Sequence, residues 1–182
     1  MTSDRELVGG HAPDFELPGI DEEVYHLGRY RENFKAIAVI FIADRCPQIS
    51  QYLDRLKAIQ TQFSSEKFTI VAINSQKSDR SFKESFADMK AFSAKNQLNF
   101  PYLRDPTQEV AKSFGARVSP EVFLLDEHAI IRYAGRIDNN ADAPEAVTNH
   151  YLKDSISNLL SGKKITTNYT EPVGTPIEWR DK

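Results

Sequence analysis

The chain holds a single cysteine, Cys46, and its neighbours make it a candidate nucleophile. It closes the stretch Ile37-Ala38-Val39-Ile40-Phe41-Ile42-Ala43-Asp44-Arg45-Cys46-Pro47, in which a buried-strand pattern gives way to a helix start. Proline suits the first helical position, because its fixed φ matches the helix and its missing N–H would have no partner there. Cys46 then occupies the N-cap. There, unpaired backbone N–H groups and the positive end of the helix dipole face the sulfur and favour thiolate over thiol. Arg45 is expected to act in the same direction. The alternative is an inert buried thiol, since free cysteine is among the most buried residue types. The Arg-Cys-Pro context at a strand end favours a functional one, and with it redox chemistry.

One thiol excludes an intramolecular disulfide, so any disulfide must join Cys46 to another molecule or to a second copy of the chain, which leaves a homodimer open. His11, His26, His128 and His150 are scattered without ligand spacing. No metal site is expected from them, and no cofactor. Asp44 could serve the thiol as a local base, although a carboxylate just before a helix is more often a favourable charge at its N-terminus.

These residues need a fold to position them. With 182 residues, 40% apolar and 27% charged, the chain is expected to form one soluble globular domain. A net charge of −3 offers no basic stripe for nucleic acid. No apolar run approaches the roughly 20 residues that span a bilayer. The opening Met1-Thr2-Ser3-Asp4-Arg5-Glu6 lacks the basic and apolar regions of a signal peptide. The expectation is a cytoplasmic protein with neither a membrane nor a nucleic-acid partner.

Two short strands, Asp14 to Leu17 and Val24 to Leu27, precede the continuous apolar run Ala36 to Ile42, which reads as a central strand buried on both faces. Behind Pro47 a helix carries Ile49, Leu53, Leu56, Ile59 and Phe63 on one face. Phe68 to Asn74 is a second buried strand, and Phe82, Phe86, Met89 and Ser93 mark the inner stripe of a second helix. A short helix from Gln108 to Phe114 stops at Gly115. Val122 to Leu125 and Ile130 to Tyr133 form a hairpin, and a last helix, Pro144 to Leu160, buries Val147, Tyr151, Ile156 and Leu159. Helical crossovers joining parallel strands, then a closing hairpin, give an α/β sandwich with a mixed sheet. Residues 1–162 form the domain, and residues 163–182 a tail lying back on it, with Trp179 and Ile177 as anchors.

A cysteine after the first central strand, followed by Pro and a helix, and later Val118-Ser119-Pro120-Glu121-Val122-Phe123-Leu124-Leu125-Asp126 before a hairpin, resembles the thioredoxin-fold superfamily. Within it the chain is similar to the peroxiredoxin-like branch of redoxins related to alkyl hydroperoxide reductases. Gly10-His11-Ala12-Pro13-Asp14-Phe15-Glu16-Leu17-Pro18-Gly19, Tyr102-Leu103-Arg104-Asp105, Gly115-Ala116 and Gly135-Arg136-Ile137-Asp138 extend the resemblance over nearly the whole chain. It implies a thioredoxin-like three-layer sandwich with an N-terminal extension and a C-terminal tail. It also implies a cis bond at Ser119-Pro120 against the active cysteine.

The activity implied is less direct. Members of this branch usually carry Cys-x-x-Cys where this chain has Ala43-Asp44-Arg45-Cys46, so the first cysteine is replaced by Ala43. Many also have a cysteine near the C-terminus, where this chain reads Val173-Gly174-Thr175-Pro176. Read as a peroxiredoxin, Cys46 falls at the peroxidatic position, but the usual Pro and Thr or Ser of the peroxide pocket are Val39 and Ala43. The usual arginine is replaced within Ser119-Pro120, leaving Arg45 or Arg117 as electrostatic substitutes. The resemblance thus implies Cys46, Arg45 and Pro120 as catalytic residues and Ala43, Asp44, Pro47, Ser119 and Arg136 as substrate-binding ones. Two functions fit. One is a single-cysteine thiol oxidoreductase or weak peroxidase, served by an external thiol reductant or a thiol/disulfide partner protein. The other is a redox-degenerate thioredoxin-fold protein that binds or regulates a partner through the same face.

Overall fold

The computed structural model describes residues 3–180. An N-terminal segment carries α1 (Asp4–Leu7), β1 (Glu16–Pro18), β2 (Val24–His26) and α2 (Leu27–Tyr30). The core follows as β3 (Ala36–Phe41), α3 (Pro47–Phe63), β4 (Phe68–Asn74), α4 (Phe82–Asn96) and β5 (Tyr102–Arg104). Then come α5 (Glu109–Phe114), β6 (Val118–Ser119), β7 (Glu121–Asp126), β8 (Ile131–Gly135), α6 (Tyr151–Leu160) and β9 (Thr175–Pro176).

The five-stranded sheet has the order β5-β4-β3-β7-β8. β3, β4 and β5 run parallel, while β7 pairs antiparallel with both β3 and β8. Strand β3 shows why the sheet needs two covers. Ala36, Ala38 and Ile40 belong to one apolar cluster, with α3, α4 and α6. Ile37, Val39 and Phe41 belong to the other, with Phe15 and Leu17 of the N-terminal segment, Phe114 of α5 and Ile177 of the tail. Successive side chains leave a strand on opposite faces, so a run apolar at every position demands layers on both sides. The result is the thioredoxin-like three-layer arrangement that the resemblance implied, with a mixed central sheet. No described helix is long and apolar enough to cross a membrane.

Two expectations need correction, and one strand was not foreseen. The last helix begins at Tyr151, not Pro144; Pro144–Ala146 forms only a 3-10 turn, and the buried positions are Leu152, Ser155 and Ile156. Val147 is half-buried before the helix begins, and Asn139 takes up the backbone of Thr148 and Asn149. On α4 the inner stripe runs through Ser85 and Met89, leaving Phe82 48% exposed and stacked on Phe86. The Ser81–Glu84 capping box sets the N-cap one residue before Phe82, which places Phe82 in the first turn at the domain's edge. Strand β5 escaped notice because three residues are too short to display a period.

Candidate active site around Cys46

Cys46 is the N-cap of α3, with extended backbone (φ −88°, ψ 118°) and Pro47 behind it as the first helical residue. Its residue is 5% exposed. Across from it, Ser119-Pro120 is cis, and the Ser119 carbonyl oxygen lies 3.2 Å from the sulfur. Thr175 Oγ1, from the tail, is also 3.2 Å away, and Gln48 Oε1 is at 3.6 Å. Thr175 and Gln48 are themselves joined by a short hydrogen bond.

One S–H cannot serve three acceptors, so the thiol proton is shared among alternatives. A carbonyl can only accept, whereas a hydroxyl both donates and accepts. With the thiol protonated, Thr175 accepts from sulfur and donates to Gln48. If sulfur ionises, rotating the hydroxyl and turning the Gln48 amide reverses the relay, so that the amide N–H donates to Thr175 and Thr175 donates to the thiolate. The same three side chains can therefore accompany both protonation states.

The tail reaches this point because the domain leaves space for it. A side chain at Gly174 would collide with the Ser119 carbonyl, and one at Gly135 with Thr170. β9 pairs antiparallel with β6, and Ile177 N–H donates to the Arg117 carbonyl at 2.9 Å. Farther along, the Gln108 side chain donates to the Glu178 carbonyl and accepts from the Arg180 N–H, each at 2.8 Å. Ile177 is buried, and Lys112 stands over the Trp179 ring.

Beneath the cis-proline turn, Glu121 is buried, with Oε1 accepting the N–H groups of Arg117 at 3.0 Å and Val118 at 3.3 Å. Burial, together with the carboxylate of buried Asp4, pushes the Glu121 carboxyl up to about 8. Its buried Oε2 makes no hydrogen bond among the described residues, and only in protonated form could it donate toward the Asp4 carboxylate. Arg117 completes the cluster by bridging Asp4 at 3.4 Å and Glu171 at 3.0 Å. It thus clasps the N-terminal segment to the tail.

Of the residues singled out from sequence, Cys46, Pro47, Ser119 and Pro120 come together, and buried Ala43 accepts the Cys46 N–H through its carbonyl. Asp44 makes no described contact with the sulfur; its carboxylate accepts from Asn74 at 2.7 Å and Tyr102 at 3.4 Å. Arg45 is likewise redirected. Its side chain is 76% exposed and pairs with Asp88 of α4 at 3.8 Å. Arg117 is held in the Asp4 cluster, so neither arginine makes a described contact with the sulfur. Arg136 lies over the Tyr151 ring of α6, its carbonyl accepts from Tyr133 of β8, and its backbone N–H donates to Thr170 of the tail, so none of its described contacts is with the sulfur. Gln48 was missed. Thr175 was visible only as the place of an absent cysteine, for nothing in its own spacing says that it folds back onto Cys46.

The chain matches the AhpC/TSA family over residues 8–134, and it belongs to that family. No curated protein matches it. Its fold is similar to that of a hypothetical protein from Sinorhizobium meliloti 1021, at 29% identity over 96% of both chains and a TM-score of 0.86. An uncharacterized conserved protein from Geobacillus kaustophilus is similar at 26% identity, over 96% of this chain and 93% of that one, with a TM-score of 0.87. The peroxidoxin BcpB from Mycobacterium tuberculosis shares the fold at 17% identity, over 85% and 96%, with a TM-score of 0.65.

Proposed function

We propose that this member of the AhpC/TSA family is a thiol-dependent oxidoreductase or weak peroxidase that works through Cys46 alone and draws its electrons from an external thiol. The observation that carries the reading is the sulfur at the α3 N-cap, 3.2 Å from the carbonyl that precedes a cis-proline. In this scheme the thiolate attacks one oxygen of a hydroperoxide, the O–O bond breaks, and the other oxygen leaves as water or alcohol after taking a proton. The resulting sulfenic acid is attacked by a reductant thiol, which forms a mixed disulfide and expels water. A second thiol then takes the first away as a disulfide and returns Cys46 to its thiol. A disulfide substrate enters the same sequence at the mixed disulfide.

The rate should be low. Val39 and Ala43 supply none of the polar contacts that hold and polarise a peroxide, and such positioning provides much of the catalysis in sites of this kind. The test is peroxide consumption with excess dithiol, wild type beside Cys46→Ser. A reductant-dependent rate lost in the variant supports the enzyme; equal rates would falsify it. A second reading is a partner-binding module, favoured by the burial of Cys46 under Thr175. Equal rates would move the case to that reading.

A further inference from the structure

The start of α3 withholds from the sulfur what a helix start usually offers. Pro47 carries no N–H, the Ile49 N–H donates to the Cys46 carbonyl at 3.1 Å, and the Cys46 side chain makes no capping hydrogen bond. Arg45 and Arg117 are committed to Asp88, Asp4 and Glu171. Among the described residues, neither a backbone donor nor an arginine of the kind expected from the sequence contacts the sulfur. Its described hydrogen bonds run instead to three oxygens, on Ser119, Thr175 and Gln48.

Those three differ in what they can do for a negative charge. The Ser119 carbonyl only accepts, so it suits the thiol and opposes the thiolate. Thr175 is a hydroxyl, which accepts from the one and donates to the other, and a hydrogen bond to an ionised acceptor is about twice as strong as a neutral one. Gln48 is bonded to the same hydroxyl and decides which way it points. With its amide oxygen toward Thr175 it draws the hydroxyl proton away from the sulfur; with its N–H there it turns that proton onto the sulfur. Cys46 is buried, so water supplies little of the solvation that a charged sulfur needs, and a protein donor must replace it.

We propose that Thr175 is a catalytic residue whose hydroxyl donates to the Cys46 thiolate, and that Gln48 is the positioning residue that aims it. In the ionised site the thiol proton has left to solvent, Gln48 Nε2–H donates to Thr175 Oγ1, and Thr175 Oγ1–H donates to Sγ. The tail thereby takes over a task that the helix start leaves undone. What the thiolate then attacks rests on the redox function proposed above; the donor role does not.

The test is alkylation of Cys46 by iodoacetamide, an uncharged reagent, with the rate followed against pH by intact mass. Only the thiolate reacts, so the pH at which the rate rises reports its formation. Thr175→Val keeps the shape of the side chain but donates nothing. Its profile should move to higher pH, with a rate at pH 7 about tenfold below wild type, the effect of losing one hydrogen bond to a charge. Thr175→Ser should restore the wild-type profile. Gln48→Glu, whose carboxylate only accepts, should hold the hydroxyl away from the sulfur and move the profile in the same direction. A Thr175→Val profile that coincides with wild type, Thr175→Ser as slow as Thr175→Val, or an unmoved Gln48→Glu profile overturns the proposal. So does faster alkylation of Thr175→Val at every pH, which is what mere loosening of the tail would give. If Thr175→Val fails to fold, Gln48→Glu decides alone. Shifted profiles beside a peroxide rate that ignores Cys46→Ser leave the donor role standing and remove the redox reading; unshifted profiles beside a Cys46-dependent rate do the reverse.

Discussion

Cys46 meets Gln48 two residues along its own helix and Thr175 from 129 positions away, yet both polar groups stand at the same sulfur. The helix side is set locally: an apolar strand ends, Pro47 starts a helix, and the cysteine has little choice but the N-cap. The tail side depends on a chain of distant agreements, namely space at Gly174 and Gly135, pairing of β9 with β6, and burial of Ile177. The helix side gives the sulfur its place, and the tail side decides what it touches. A reactive cysteine can thus be located from local sequence while its environment remains unread.

The sharpest way to break this contrast is Thr175→Cys. If the tail truly rests on the sulfur, mild oxidation should join residues 46 and 175. Closing so long a loop should restrict the unfolded chain by at most about 5 kcal/mol. Intact-mass loss of two hydrogens and a higher melting temperature would show it; two freely titratable thiols would mean the tail is elsewhere. Next in size is Ile177→Ala, which removes a buried anchor at a cost of about 2–5 kcal/mol. Cys46 should also become more accessible to maleimide, because the strand carrying Thr175 loses its hold. A destabilised protein whose thiol stays as protected as before would uncouple the anchor from the site.

Much of the fold was legible because its strands announce themselves. Phe68–Asn74 is apolar nearly throughout, and the structure buries all seven residues. The turn of α3 was equally clear, since Ile49, Leu53, Leu56, Ile59 and Phe63 all face inward. What failed to show was whatever depends on partners far away in sequence. Arg45 reads as an activator of its neighbour until Asp88 is brought opposite it. Arg104 reads only as part of the Tyr102-Leu103-Arg104-Asp105 resemblance until its guanidinium is seen against the ends of Asn74 and Gln76. Thr175 has no periodicity to betray it; only Gly174, at a close backbone approach, marks the spot.

Glu121 sharpens the comparison from beneath the cis-proline turn, where the N-terminal segment and tail are clasped together. Its carboxyl is raised in the folded state from an ordinary 4.5 to about 8, so the folded protein holds a proton there that the unfolded chain has lost. Between those values stability must therefore fall as pH rises, and above about 8 both states are ionised and the loss is complete. Glu121→Gln keeps an acceptor for the Arg117 and Val118 N–H groups and a donor toward Asp4. Denaturant midpoints across that range should decline by less in the variant than in the wild type. Parallel curves would show that Glu121 does not hold its proton.

The smallest effect is expected on the helix side, in Arg45→Ala. The side chain is largely in solvent, and its partner Asp88 is also held by Arg80 at 2.9 Å, so removing Arg45 leaves no carboxylate unpaired. Exposed pairs of this kind contribute below about 1 kcal/mol, and the melting temperature should scarcely move. The more telling measurement is the alkylation rate of Cys46 at constant pH and low salt. With no described contact between guanidinium and sulfur, that rate should stay within about a factor of two of wild type, since exposed charges are strongly screened. A fall of severalfold would mean that the Arg45 charge reaches the thiol. The helix side would then set the sulfur's reactivity as well as its place, and the contrast between the two sides of the site would not survive.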